Sequence, residues 1–288
     1  MVIRQGKKLD SAKQLPTGSV FGELGNYWAE IAESNSTEKQ ISFVKSILPP
    51  KGLILDLACG TGRHSIKLCK AGYDVIGLDL SGNLLQIAKK NAMTVSSNCD
   101  FVKASMLFVP FRSGIFAGVV SLDTSFGYLA SEGEDIQSLG EVKRILNEQG
   151  LFVLDVFNRD RLVQHFGRSS GFCYRFWFFV FRLFMRFPKL FDSIDNLFKW
   201  RDYPSFRLLQ QRTVNPKFNE LRDLWLIKDK NTGRMSMFVH LVRLFELLQL
   251  QSLLKQALLV VEKVYGNYKA DEYSKTSNRL IIIAKQIQ

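Results

Sequence analysis

Gly52-Leu53-Ile54-Leu55-Asp56-Leu57-Ala58-Cys59-Gly60-Thr61-Gly62-Arg63-His64 decides the fold, together with Gly77-Leu78-Asp79 downstream. An apolar run, a Gly-x-Gly turn, a helical stretch and a second apolar run ending in an acid spell one βαβ unit. Gly60 and Gly62 let the backbone turn sharply and approach a ligand with no Cβ in the way. The amides that open the next helix then face an acidic group on that ligand. Asp79 lies 17 residues after Gly62, where a carboxylate can accept from both hydroxyls of a ribose. A nicotinamide or flavin site usually carries a third glycine three residues on, and that position is Ser65. The pattern points to an adenosine-containing ligand of another kind.

Working outward, Pro49-Pro50 ends a helical N-terminal stretch over 19–48. Beyond the first unit, strands are expected at 100–103, 118–122 and 151–156, and helices at 82–92 (capped by Ser81) and 134–146. Strands separated by helices predict a doubly wound parallel sheet. Periodicity then changes. Three antiparallel strands are expected at 208–214, 221–228 and 235–241. Asn215-Pro216-Lys217 and Asn231-Thr232-Gly233 are the turns between them. A leucine-rich helix over 245–258 and strands at 259–264 and 279–285 close the chain.

Asp56–Gly62 and Gly77-Leu78-Asp79-Leu80-Ser81 resemble the first motif and second-strand acid of the class I S-adenosylmethionine-dependent methyltransferases. The resemblance extends through Asp100–Phe111, Val119–Tyr128, Gly150–Asn158 and Leu241–Gln286. It implies an α/β fold: a doubly wound, seven-stranded Rossmann-like sheet, its last strand antiparallel, with an inserted antiparallel β plus helical lid. It divides the chain into an N-terminal helical cap (1–50), an S-adenosylmethionine-binding domain (51–158 and 242–288) and an inserted acceptor-side subdomain (159–241).

The resemblance also implies site residues. Gly60, Thr61, Gly62 and Ala58 surround the methionine part of S-adenosyl-L-methionine, and Asp56 organises their loop. Asp79 takes the ribose, and Leu80 lies on the adenine. Ser105 and Met106 stand at the adenine edge, where many members carry an acid in place of Ser105. Leu122 and the N-terminal Tyr27 and Trp28 cover the cofactor, an aromatic face suiting a sulfonium. Asp123, Tyr128 and His240 are the catalytic candidates. Asn158, Arg159, Arg212 and Arg243 are candidate acceptor contacts.

Composition narrows the rest. Residues 1–157 carry 16 basic and 16 acidic side chains, whereas 158–288 carry 23 and 11. The whole positive excess follows the first sheet and bears on the acceptor or partner rather than the fold. Residues 172–187 hold nine aromatics in sixteen positions. Arg175, Arg182 and Arg186 fall within about 60° on a helical wheel, with Lys189 nearby. Such a helix serves as a packed lid, a dimer contact or a contact with an anionic membrane surface.

The expected acceptor is a small or lipophilic molecule carrying negative charge, and a monomer or homodimer is expected. An RNA or protein methyltransferase is the alternative enzyme, though no nucleic-acid module is visible and nucleic acid is an unfavoured partner. A methyltransferase-like binding protein without activity is the non-enzyme alternative. Cys59, Cys69, Cys99 and Cys173 show no paired spacing and, with three histidines, no zinc pattern. No apolar segment follows Met1–Lys13. A cytoplasmic, reduced protein without structural metal, peripheral to the membrane at most, is expected.

Overall fold

The computed structural model describes residues 21–33, 37–97, 99–166, 171–186 and 199–287, apart from position 22. Two sheets organise them. The larger has seven strands in the order β10-β11-β5-β4-β1-β2-β3. Its members are β1 (Leu53–Leu57), β2 (Asp74–Asp79), β3 (Asp100–Lys103), β4 (Phe116–Ser121), β5 (Leu146–Phe157), β10 (Leu259–Tyr265) and β11 (Arg279–Gln286). The first five pair in parallel, and β11 runs antiparallel to both β5 and β10. Strands β1 and β4 are buried on both faces, which is why they read as unbroken apolar runs rather than as alternation.

Helices cover both faces. They are α1 (Asn26–Glu33), α2 (Thr37–Ile47), α3 (Arg63–Lys70), α4 (Gly82–Thr94), α5 (Glu132–Ile145), α6 (Arg159–Phe166), α7 (Gly171–Arg186) and α8 (Leu247–Gln256). Side chains of α5 and α8 build one core with Phe116, Phe152, Leu154 and Ile282. Side chains of α2 and α3 build the other with Ile54, Val120 and Ile281. Ser81 caps α4 through its hydroxyl, which accepts from the Leu84 amide at 3.3 Å.

Residues between β5 and α8 make the second sheet: β6 (Arg201–Asp202), β7 (Phe206–Asn215), β8 (Glu220–Asp229) and β9 (Met235–Arg243), in that order and antiparallel. Alternation gives it two different faces. On one, Phe206, Leu208, Trp225 and Ile227 pack against Leu24, Tyr27, Trp28 and Ile31 of the N-terminal segment. On the other, Leu209, Leu224 and Leu226 receive Phe181, Trp177 and Phe178 of α7.

Three expectations change. The cysteines are not all unpaired: Cys69 and Cys99 form a disulfide, with Cα atoms 6.2 Å apart. The end of α3 lies beside the start of β3 because β1, β2 and β3 are neighbours, a proximity no sequence spacing announces. The pairing removes the argument for a reducing compartment. The aromatic helix α7 packs on the outer face of the second sheet, and none of its described residues lines the cavity below. Lys189, with residues 187–198, lies outside the described residues, as does residue 173 in its side chain. Strand β6 and helix α6 were not read from the sequence at all, being only two residues long in one case and free of buried residues in the other.

Candidate active site

The βαβ turn does the first work. Gly60 and Gly62 both sit in the left-handed region, at φ 56° and 74°. A Cβ at Gly62 would fall 2.8 Å from the Phe101 ring and 2.9 Å from Ala88. A Cβ on Gly60 would reach 3.7 Å from the Trp28 indole nitrogen. Gly62 is therefore needed for packing, and Gly60 keeps the turn open beneath an aromatic roof.

Asp56 is fully buried under the turn and does not line the cavity. Its carboxylate accepts from the Ser65 amide at 3.0 Å and the Ser65 hydroxyl at 2.6 Å. Burial pushes its carboxyl up to about 6. Ser65 thus fills the place of a third glycine by tying the helix start to β1. Asp79 holds the other side of the turn: its carboxylate accepts from the Gly60 amide at 2.9 Å and the Ser81 amide at 2.8 Å. Burial raises its carboxyl too, partly offset by those amides. The carboxylate keeps acceptor capacity for a hydroxyl in the adjoining space.

That space is one continuous cavity. Ala58, Gly60, Thr61, Asp79, Leu80, Ser105, Met106 and Leu122 line it, with Trp28 and Phe21 above and Asp123 and Tyr128 at the far end. Ser105 also accepts from the Leu107 amide at 3.2 Å, so its hydroxyl is partly committed to its own turn. Tyr128 is held un-ionised by burial.

Asp123 sits on a strained turn. Asp123 and Thr124 are both left-handed, at φ 55° and 62°, and the β-branched Thr124 is the costly one. Asp155 pins the turn: its carboxylate accepts from the Asp123 amide at 2.7 Å and its carbonyl from the Thr124 amide at 3.1 Å. Arg279 donates to Asp155 at 2.7 Å and to the Thr124 hydroxyl at 2.6 Å, and Tyr268 donates to the same carboxylate. The turn aims the Asp123 carboxylate at Arg63, which donates to it at 2.6 Å and also reaches Thr37 and Gln40. The N-terminal helix α2, the glycine turn and the end of β4 are thereby joined at one guanidinium.

Six expected contacts lie elsewhere. Tyr27 donates to Asp229 at 2.7 Å and packs on Phe206, because its position on α1 faces the second sheet rather than the cavity. Asn158 donates to the carbonyls of Ser274, Lys275 and Ser277, and accepts from the Asp160 amide and the Tyr273 hydroxyl, so it clamps the loop before β11. Arg159 pairs with Asp160 and Glu246, and Arg243 with buried Asp135. These two arginines tie elements of the fold together. Arg212 pairs with Asp223 at 2.9 Å on the second sheet, and buried His240 stands across from Asp223. Neither lines the cavity directly. Arg63, Thr124, Asp155 and Arg279 were missed. Only Arg63 had a signal, as the first charged residue after the glycine turn.

The comparisons agree with this geometry. Residues 54–150 match the family model described as a methyltransferase domain. A glycine/sarcosine N-methyltransferase of Parasynechococcus marenigrum is 33% identical over 141 residues, covering 48% of this chain and 50% of that protein. YqeM of Bacillus subtilis, named as a methyltransferase, is 29% identical over 151 residues, covering 52% and 61%. The chain thus spans about half to three fifths of the length of these curated relatives. Among solved structures, the CcbJ methyltransferase of Streptomyces caelestis superposes with a TM-score of 0.73 at 14% identity, covering 96% of this chain and 99% of that one. The sugar N-methyltransferase KedS8 of Streptoalloteichus superposes with a TM-score of 0.62 at 16% identity, covering 100% and 99%. Residues 54–150 thus match a methyltransferase domain, and the chain shares the fold of solved S-adenosylmethionine-dependent methyltransferases.

Proposed function

We propose that the protein transfers the methyl group of S-adenosylmethionine to a small-molecule acceptor bound between the cavity and the second sheet. The cofactor supplies an electrophilic methyl on a positively charged sulfur. The chain supplies the rest. Asp79 offers carboxylate lone pairs to a ribose, Gly60 and Thr61 bring backbone close, and Trp28 presents an aromatic face suited to a sulfonium. Holding an acceptor in line with the methyl can account for about 7–11 kcal/mol of the barrier without acid-base help. Leu122, Tyr128 and Leu129 wall off water on the acceptor side.

The observation that carries the reading is the juxtaposition in one cavity of the Gly60 turn, the Asp79 carboxylate and the Asp123–Tyr128 segment after β4. A small acceptor suits it because Phe21 and Trp28 of the N-terminal segment, itself packed on the second sheet, line the cavity, and no run of basic side chains lines it among the described residues. Charge argues against a requirement for an anion. Arg63 is the one Lys or Arg among the described lining residues, and it is already paired with Asp123. Relatives bearing glycine, sarcosine or sugar N-methyltransferase names support a small acceptor.

Tritiated-methyl transfer from S-adenosylmethionine into a cell extract tests this. Label in the fraction that passes a small-pore filter is expected. Label confined to RNA or protein would replace the reading by the polymer alternative.

A further inference from the structure

The face of the second sheet that packs against the body of the protein is apolar at both ends and polar in the middle. At the end nearest β5, Val214, Leu221 and Val242 form one rung, packed with Tyr128 and Phe157. At the other end, Leu208 and Ile227 pack against the N-terminal segment. Between them lie two rungs of a different character. Arg212, Asp223 and His240 are directly paired across β7, β8 and β9, and Gln210, Trp225 and Phe238 form the next rung. With a side-chain period of two, all six point the same way.

Some of this belt satisfies itself. Gln210 donates to both Asp223 oxygens at 2.8 and 2.6 Å, and Arg212 donates to Asp223 at 2.9 Å. Three buried polar atoms do not: Gln210 Oε1, Trp225 Nε1 and His240 Nε2. Trp225 and His240 are 6% and 5% exposed, so these atoms are shielded from solvent and have no protein partner among the described residues. Most buried polar atoms in a fold are hydrogen-bonded, and each orphan is destabilising. Of the seven such atoms among the described residues, these three share two adjacent rungs of one face.

The belt adjoins the cavity. Phe21 lines the cavity and packs on the far side against His240, ring centres 5.1 Å apart. It also meets Tyr128 at 5.4 Å and Trp28 at 4.8 Å. Trp225 stacks on Trp28 at 6.0 Å and touches His240 at 4.5 Å. Phe21 therefore stands between the cavity and His240, and Trp28 between the cavity and Trp225.

We infer that this belt is the acceptor subsite, that Phe21 and Trp28 cover it in the structure, and that it takes an uncharged hydroxylated amine. The inference rests on the methyl-transfer reading and gives its acceptor a class. The orphan set contains one obligate donor, the indole N–H, one obligate acceptor, the amide oxygen, and an imidazole nitrogen of either role. Filling all three takes a ligand that both donates and accepts, as hydroxyl and amine groups do. Asp223 is balanced by Arg212, and burial holds the His240 imidazole down to about 4, so it is uncharged. The belt thus gives neither an anion nor a cation an unmatched partner. An un-ionised amine can donate its N–H to this belt and keep its lone pair for the methyl. A site built to hydrogen-bond hydroxyls also discriminates strongly against an analogue lacking them.

The test uses three probes with S-adenosylhomocysteine bound, so that nothing turns over: glucosamine, cyclohexylamine and glucuronate, at mildly alkaline pH. Binding is read from the indole N–H resonance of Trp225, assigned with Trp225→Phe, and S-adenosylhomocysteine affinity is read separately by calorimetry. Glucosamine is expected to shift that resonance and to bind about tenfold or more tightly than either other probe. His240→Phe and Gln210→Leu are expected to weaken glucosamine about tenfold, to leave S-adenosylhomocysteine affinity within about twofold, and to melt no lower than wild type. His240→Gln, which keeps a polar atom there, is expected to recover part of the binding. Equal or tighter binding of glucuronate or cyclohexylamine, or no shift with any probe, overturns the inference. So does a melting temperature lowered in both apolar variants, since that assigns the belt to folding. Failure of the wild type to bind S-adenosylhomocysteine overturns the methyl-transfer reading itself.

Discussion

Arg63 and Asp123, 60 residues apart in the chain, meet at 2.6 Å where the glycine turn faces the end of β4. The guanidinium also holds Thr37 and Gln40, so one side chain fastens the N-terminal cap over the cavity. Arg63→Met removes three hydrogen bonds, one of them to a charge. The pair is partly solvent-screened on the Asp123 side, with a side-chain exposure of 29%. A loss of about 1.5–3 kcal/mol is expected in urea unfolding. A variant as stable as wild type would show that the cap is held by its apolar face alone.

The clamp behind that turn should matter more. Asp155 is fully buried, and Arg279, Tyr268 and the Asp123 amide converge on it. Arg279→Met leaves the carboxylate without its cation, and breaking such a pair costs about 3–5 kcal/mol. The strained Asp123–Thr124 turn is then free to relax, so methyl transfer should fall more than cofactor affinity. Denaturant titration beside calorimetry measures both. Loss of cofactor affinity with intact turnover would contradict the placement of this turn on the acceptor side.

Burial lowers His240 from 6.5 to about 4 and lowers His64 as well, with Arg63 adding to the effect there. Asp223 and Arg212 act on His240 in opposite directions. The unfolded chain binds protons that the native state refuses, so stability is complete above about pH 6.5 and is lost as pH falls toward 4. For His240 the loss is at most about 3 kcal/mol. His240→Phe should flatten the melting profile across this window. An unchanged slope would show that the native imidazole is already accessible to protons.

How much of this was legible is clear at particular residues. The βαβ unit, the order of the parallel strands' elements and the three long strands of the second sheet could be read because periodicity and glycine turns are local properties. Gly60 and Asp79 could be placed at one turn because the acid that ends β2 follows the glycines at a short, fixed spacing. Arg243 and Asn158 were misread because a polar residue at a strand end looks the same whether it faces a ligand or clamps a loop. Only the distant partners, Asp135 and the Ser274–Ser277 carbonyls, tell the two apart. Tyr27 and Trp28 are adjacent on α1, and one faces the second sheet while the other roofs the cavity. Nothing local separates them. The belt of Gln210, Trp225 and His240 needed the register of three strands to come together.

Helix α7 makes a separate prediction. It buries Phe181 against the second sheet, yet Phe176 and Phe179 stay 52% and 59% exposed, on the same side as Arg182. Exposed aromatics beside a basic residue suit an anionic lipid surface, where each such charge contributes about 1 kcal/mol. Salt-sensitive sedimentation with phosphatidylserine vesicles is expected, weakened by Phe176→Ser with Phe179→Ser. Vesicles left unbound would assign this edge to another role.

Calorimetric titration of S-adenosylmethionine into wild type and Asp79→Ala tests the central claim most directly. The carboxylate is fixed by the Gly60 and Ser81 amides and lines the cavity, and losing its hydrogen bonds to a ligand should cost about 1.5–3 kcal/mol, or roughly tenfold or more in affinity. One-to-one binding by the wild type, weakened to that extent in Asp79→Ala while the fold is retained, is the predicted result. No binding by the wild type, or equal affinity in the two proteins, would contradict it.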